Sequence, residues 1–270
     1  MPSKLTKTKS FLAITSATLL LSACASGSST NETASQDSQT QSSSAAPTSA
    51  SAEAKAQSSI EPLTFNDSPL LGGPAKPKFD EGNPGEVGVV KVGPLLKEQG
   101  TLLFAFRNNT GEAISHVDWS ATARSEGSLV GSGTSQGTTP SQIQPGEVGL
   151  AYIYFENAED FPKGTDYEFK TKTSPADTSF YNTAPFAIDE VNFVGESIVG
   201  SATNGTGAAA TGPYSVSFYC FDDGKMAHQS TDYAAESDQE VADGESVSFS
   251  TKIYGHECSE YVVGVSGYFS

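Results

Sequence analysis

Residues 214–224 read Tyr-Ser-Val-Ser-Phe-Tyr-Cys-Phe-Asp-Asp-Gly. Val216, Phe218 and Cys220 recur at every second position, so an extended chain carries all three on one face, against an opposing sheet. Asp222-Asp223-Gly224 ends the run with hairpin chemistry, because Asp-Gly tolerates the positive φ of a tight turn. The same arrangement occurs earlier in the chain. Val117, Trp119, Ala121 and Ala123 alternate in the same way, and Ser125-Glu126-Gly127 follows them. Gly127 and Gly224 stand 97 positions apart. Two more turn motifs repeat around this pair: Asn108-Asn109-Thr110-Gly111 with Asn204-Gly205-Thr206-Gly207, and Pro145-Gly146-Glu147 with Asp243-Gly244-Glu245. Their offsets, 96 and 98, match to within a residue, which marks a tandem repeat.

Strand-like runs recur between these turns: Val87–Val92, Thr101–Arg107, Val117–Arg124, Gly149–Phe155, Val191–Ser201, Tyr214–Phe221, Ser246–Tyr254 and Tyr261–Phe269. No segment holds a helical period beyond two turns. The expected fold is all-β, with two β-sandwich domains over residues 87–185 and 186–270. Val247 and Phe249 suggest a one-faced strand. Val148 to Phe155 is apolar on both faces, so Tyr152 and Tyr154 belong either to an exposed binding stripe or to a central strand covered on both sides.

The motif Phe218-Tyr219-Cys220-Phe221-Asp222 resembles the F-x-L-Y-D strand and turn of a small immunoglobulin-like domain found in exported bacterial proteins. Asn204 with Gly205-Thr206-Gly207, and Asp243-Gly244-Glu245, fall where that family has its turns. The resemblance covers roughly residues 188–270 and departs from the pattern at Cys220, where the family has Leu, and Phe221, where it has Tyr. It implies an immunoglobulin-like second sandwich and an exported location; the first copy matches only at its turns and is either a diverged immunoglobulin-like copy or a different β-sandwich of the kind common in bacterial lipoproteins. It implies no shared catalytic residue.

Upstream the texture changes. Residues 60–86 carry Pro62, Pro69, Pro74, Pro77 and Pro84 with scattered hydrophobes, including Leu63, Phe65, Leu70 and Leu71. Proline blocks helix and central strand, so this is a proline-rich spacer, with docking on the first domain as one arrangement. Residues 24–59 are nearly all Ser, Ala, Thr, Gln and Gly after Cys24, without an aromatic. Such a segment cannot offset its conformational entropy by burial and reads as a disordered tether reaching about 30–35 Å.

The first 23 residues have the three parts of a secretory signal: Lys4, Lys7 and Lys9, the apolar stretch Phe11–Leu21, and small Ser22-Ala23. The apolar stretch is too short to span a membrane as a helix, which needs about 20 residues. Leu21-Ser22-Ala23-Cys24 resembles the lipobox of bacterial lipoproteins. That resemblance implies removal of residues 1–23, diacylation of the Cys24 thiol and stable anchoring to membrane lipid on the outer face of the cytoplasmic membrane. An ordinary signal peptide with an incidental cysteine is the alternative.

With Cys24 lipidated, Cys220 and Cys258 are left in an oxidising space, where paired thiols form a disulfide. A redox or metal role is the competing reading, with His256 the one neighbouring ligand.

The net charge of −17 repels phosphate backbones, so nucleic acid is not an expected partner. His116, His228 and His256 stand apart, and no zinc or P-loop motif is present. No cofactor, metal site or catalytic residue is expected, and the chain does not read as an enzyme. Asp232, Glu236, Asp238, Glu240, Asp243 and Glu245 could supply oxygen ligands to a hard cation but lack the spacing of a calcium loop, and the preferred reading is a solvated hairpin. The expected function is a membrane-anchored surface lipoprotein that presents two sandwiches for binding a cell-wall polymer, an envelope protein or a host molecule. The alternatives are a structural subunit of an envelope assembly and a weak divalent-cation module.

Overall fold

The computed structural model describes residues 60–253 and 258–270. The signal segment, the tether, Cys24 and His256 lie outside the described residues. The described chain is all-β. The first domain contains β1 (Val87–Leu96), β2 (Thr101–Asn108), β3 (Ile114–Ser125), β4 (Ser128–Thr139), β5 (Gln142–Ile143), β6 (Val148–Tyr154) and β7 (Asp166–Pro175). The second contains β8 (Thr183–Val194), β9 (Ser197–Thr203), β10 (Ala210–Asp222), β11 (Lys225–Tyr233), β12 (Glu240–Val241), β13 (Ser246–Lys252) and β14 (Glu260–Phe269).

Strand for strand the two domains follow one plan. β1–β2, β2–β6, β3–β4, β3–β5 and β3–β7 pair antiparallel in the first. β8–β9, β9–β13, β10–β11, β10–β12 and β10–β14 are their counterparts. Each sheet curls over a core, but the two are joined along different seams. In the first, β4 crosses over to pair with β6. In the second, the start of β8, through Phe186, pairs with β14 and the rest, from Ala187, pairs with β9.

The alternation predicted for β3 and β10 is what fills these cores. Trp119 packs against Phe104 and Phe106 with ring centroids 5.3 and 5.2 Å apart, and Ala121 and Ala123 lie beside them. Val216, Phe218 and Cys220 are buried with Phe186, Tyr214 and Val265 in the second core. One predicted strand is corrected. Val191–Ser201 is not continuous, because Gly195 at φ 64 turns the chain between β8 and β9. Strands β4, β7 and β11 are additional to the predicted set; much of β4 and β7 is exposed, so both lack the apolar run that a buried strand needs.

A third apolar cluster joins the two domains. Leu103, Ala105, Val148 and Leu150 from the first meet Tyr219, Phe221, Met226 and Val262 from the second, with Phe65, Leu71 and Ala75 from the proline-rich segment. Strand β2 is therefore buried along its whole length, with Leu102, Phe104 and Phe106 in its own core and Leu103 and Ala105 in the shared one. Strand β6 is likewise covered on both sides over Val148–Leu150, while Tyr152 is half-buried and Tyr154 is exposed.

The segment 60–86 is a strap across both domains. Gly72 and Val263 exchange backbone hydrogen bonds of 2.9 and 2.8 Å, Ala75 N–H donates to Tyr261 O, and Ile188 N–H donates to Pro69 O. On the first domain, Leu63 N–H donates to Gly146 O. The Arg107 guanidinium, on a residue only 4% exposed, donates to Gly146 O at 2.6 Å, Leu63 O at 3.0 Å and Asp80 O at 3.2 Å. A buried charge with three carbonyl acceptors is a strong anchor, because each such bond is charge-assisted.

Candidate functional site

The cysteine pair lies in the second core. Cys220 on β10 and Cys258 just before β14 form a disulfide with Cα atoms 5.3 Å apart. Their sulfurs are buried, so the bond acts as a staple. The acidic residues of 232–245 are spread along the chain, Asp232 in β11, Glu240 in β12 and the others in the connecting segments. Glu236 accepts from Ser248 N–H and Oγ–H, Asp243 from Gly207 N–H, and Glu245 from Ala242 N–H. Among the described residues no group of three His, Cys, Asp or Glu side chains is placed to hold a metal ion. Likewise, among those residues no helix is long and apolar enough to cross a membrane.

The two domains share a cleft of about 560 Å³. It arises from a change of side chains along β10 and β14. The outer face of β10 runs Ser215, Ser217, Tyr219, Phe221, and that of β14 runs Val262, Gly264, Ser266, Tyr268. Where these are Tyr219, Phe221 and Val262, the face closes on the first domain in the shared core. Where they are Ser215, Ser217 and Ser266, the space stays open, whereas Gly264 lets Thr139 of the first domain approach closely. The registers set out two polar rungs. Ser215 lies opposite both Tyr233 and Ser266, and Ser217 opposite Thr231. Ser215 and Ser266 hydroxyls are 3.1 Å apart, Ser217 and Thr231 hydroxyls 3.0 Å, and Gln229 Nε2 donates to Thr231 Oγ1 at 2.9 Å.

The opposite wall comes from the first domain: Tyr152 of β6, His116 and Asp118 of β3, and the end of β4 through Thr139 and Ser141. The Ser141 side chain is buried and its hydroxyl has no hydrogen-bond partner. His116 sits at φ 42 in a bulge of β3, and its Nε2 lies 3.1 Å from the carbonyl of Tyr181, itself at φ 64. Positive φ in bulky non-glycine residues is strained and gathers at functional sites. Tyr181 also stacks on Phe180 at 4.1 Å, and both rings are exposed.

Burial pushes the Tyr219 hydroxyl well above the ordinary tyrosine range, with neighbouring Tyr152 adding to the effect. Burial also raises Tyr152, helped by Tyr233 across the cleft. Each hydroxyl keeps its proton at neutral pH and offers an O–H donor. The cleft thus presents hydroxyls, the Gln136 and Gln229 amides and tyrosine rings, with Asp118 and His116 the two ionisable side chains of its lining besides the tyrosines. The sequence reading missed this site. Its one advance signal is the alternate-position series Ser215, Ser217, Tyr219, Phe221 on the face opposite Val216, Phe218 and Cys220.

No family model matches the chain, and no curated protein or solved structure matches it.

Proposed function

We propose that this protein is a lipid-anchored surface module that binds its ligand in the cleft between its two sandwiches. The observation that carries the reading is the shared core. It fixes the two cleft walls before any ligand arrives, and a preformed site avoids the entropic cost of ordering on binding. The lipobox-like Leu21-Ser22-Ala23-Cys24 and the Ser- and Ala-rich stretch behind it supply the anchor and the reach. The Phe218-to-Asp222 motif supports reading the second sandwich as a diverged member of the exported immunoglobulin-like family.

Two measurements test this reading. Cys24→Ser moves the protein from the membrane fraction to the soluble one; equal membrane association in the variant overturns the anchor. Immobilised wild-type protein retains material from a cell-wall extract, and Ser217→Trp, which fills the cleft, abolishes retention. Retention that survives Ser217→Trp moves the site elsewhere.

A further inference from the structure

Resting on the cleft as the binding site, we infer that its occupant is an uncharged glycan chain. Charge is the first reason. The protein carries 32 acidic residues, yet Asp118 is the one carboxylate in the cleft lining and no Lys or Arg side chain enters it. An anionic polymer therefore finds a repelling protein and no counter-charge in the site. A cationic one finds a single carboxylate.

The second reason is the kind of hydrogen bonding on offer. The floor is a sheet face, and the backbone groups of β10 are used in ladders to β11 and β14. A peptide lying on this face cannot add a strand to β10; the one second-domain edge strand at the cleft is β11, which contributes Gln229, Thr231 and Tyr233 to the lining. What remains are side-chain hydroxyls and two glutamine amides, the groups on one strand face spaced about 7 Å apart. Groups that both donate and accept suit a ligand whose own groups are hydroxyls and acetamides.

The third reason is the shape of the walls. Tyr233 is 58% exposed and Tyr268 37%, each with an apolar ring face and a polar tip. Flat rings with hydroxyls beside them match a sugar ring, which is apolar on its C–H face and polar at its rim. Finally, Ser141 at the base of the cleft is 8% exposed with an unpartnered hydroxyl. A buried hydroxyl without a partner is costly, and a ligand hydroxyl satisfies it.

The test uses the full chain in zwitterionic detergent, titrated calorimetrically with the uncharged tetrasaccharide of N-acetylglucosamine, with maltotetraose, and with poly(glycerol phosphate). One of the two neutral sugars binds; the phosphate polymer does not. Tyr233→Ala and Tyr268→Ala each weaken binding about tenfold. Tyr154→Ala, exposed but outside the cleft, leaves it unchanged. Ser141→Ala weakens binding without lowering the thermal midpoint, because its hydroxyl has no bond in the free protein to lose; near-ultraviolet circular dichroism checks that every variant is folded. The inference is overturned if neither sugar binds at millimolar concentration, if the phosphate polymer binds instead, or if sugar binding ignores Tyr233→Ala. Wall-extract retention that still depends on Ser217 while both sugars fail refutes the glycan assignment alone and leaves the cleft as the binding site.

Discussion

Asn108 and Asn204 are both fully buried and make the same set of bonds. Nδ2 of Asn108 donates to Glu112 O and Ile143 O, and its Oδ1 accepts from Thr110 N–H and Oγ1–H. Asn204 does the same with Ala208 O, Val241 O and Thr206. The backbone of each Asn also pairs with the repeated Gly-Glu motif, through Gly146 and Glu147 or Gly244 and Glu245. Two turn motifs that looked independent are thus one interlock, and the Asn is kept for its amide rather than for positive φ. Asn204→Ala leaves two carbonyls and a turn without partners and should cost on the order of 2–3 kcal/mol, read from urea denaturation. Asp177 offers a pH test. Hydrogen bonds from the Ser179 hydroxyl, Asn182 and the Ser179 N–H lower its pKa from 3.8 to about 2. Because the folded value lies below the unfolded one, its contribution is present above about pH 4 and is lost as pH falls towards 2. Carbon NMR of the carboxyl should show the low midpoint, and Asp177→Asn should flatten the fall in thermal midpoint across that range.

At the scale of elements, the hairpins explain the repeat. Glu126-Gly127 and Asp223-Gly224 both have positive φ at two successive residues, the geometry that matches strand twist in a two-residue turn. A Cβ on Gly224 meets nothing within 4 Å, so Gly224→Ala tests backbone strain alone and should cost about 1 kcal/mol in urea melts. The disulfide joins β10 to the segment ahead of β14, across 38 residues. Reduction should lower stability by about 4 kcal/mol in the chain-entropy model, measured by denaturation with and without dithiothreitol. Buried alternation in β3, β10 and β13 was readable because one face meets a core. The Ser- and Gly-rich run of β4 was not, because its place in the sheet is set by backbone pairing to β3 and β6 rather than by burial.

At the scale of the whole molecule, the strap and the shared core make the sandwiches one unit. Each large side chain fully buried there contributes roughly 1.5–3 kcal/mol, enough in sum to prevent independent motion. Calorimetry of the intact protein should show a single transition. Arg107→Ala removes the bonds to Leu63 O and Asp80 O and so loosens the strap on the first domain, should cost on the order of 3 kcal/mol, and should broaden that transition. A split in the wild type would mean that the shared core does not couple the domains.

The sequence by itself determined the strand faces and the repeat, because period-two alternation and turn chemistry are local and leave their mark within a dozen residues. Its reading of Cys24 rests on a four-residue resemblance outside the described region. Tertiary structure alone decided that the proline-rich segment crosses both domains, that Arg107 is buried against three carbonyls, and that Ser215 and Ser217 face Tyr152 across a cleft. Such contacts join residues dozens of positions apart, and no local pattern encodes which polar face will meet another.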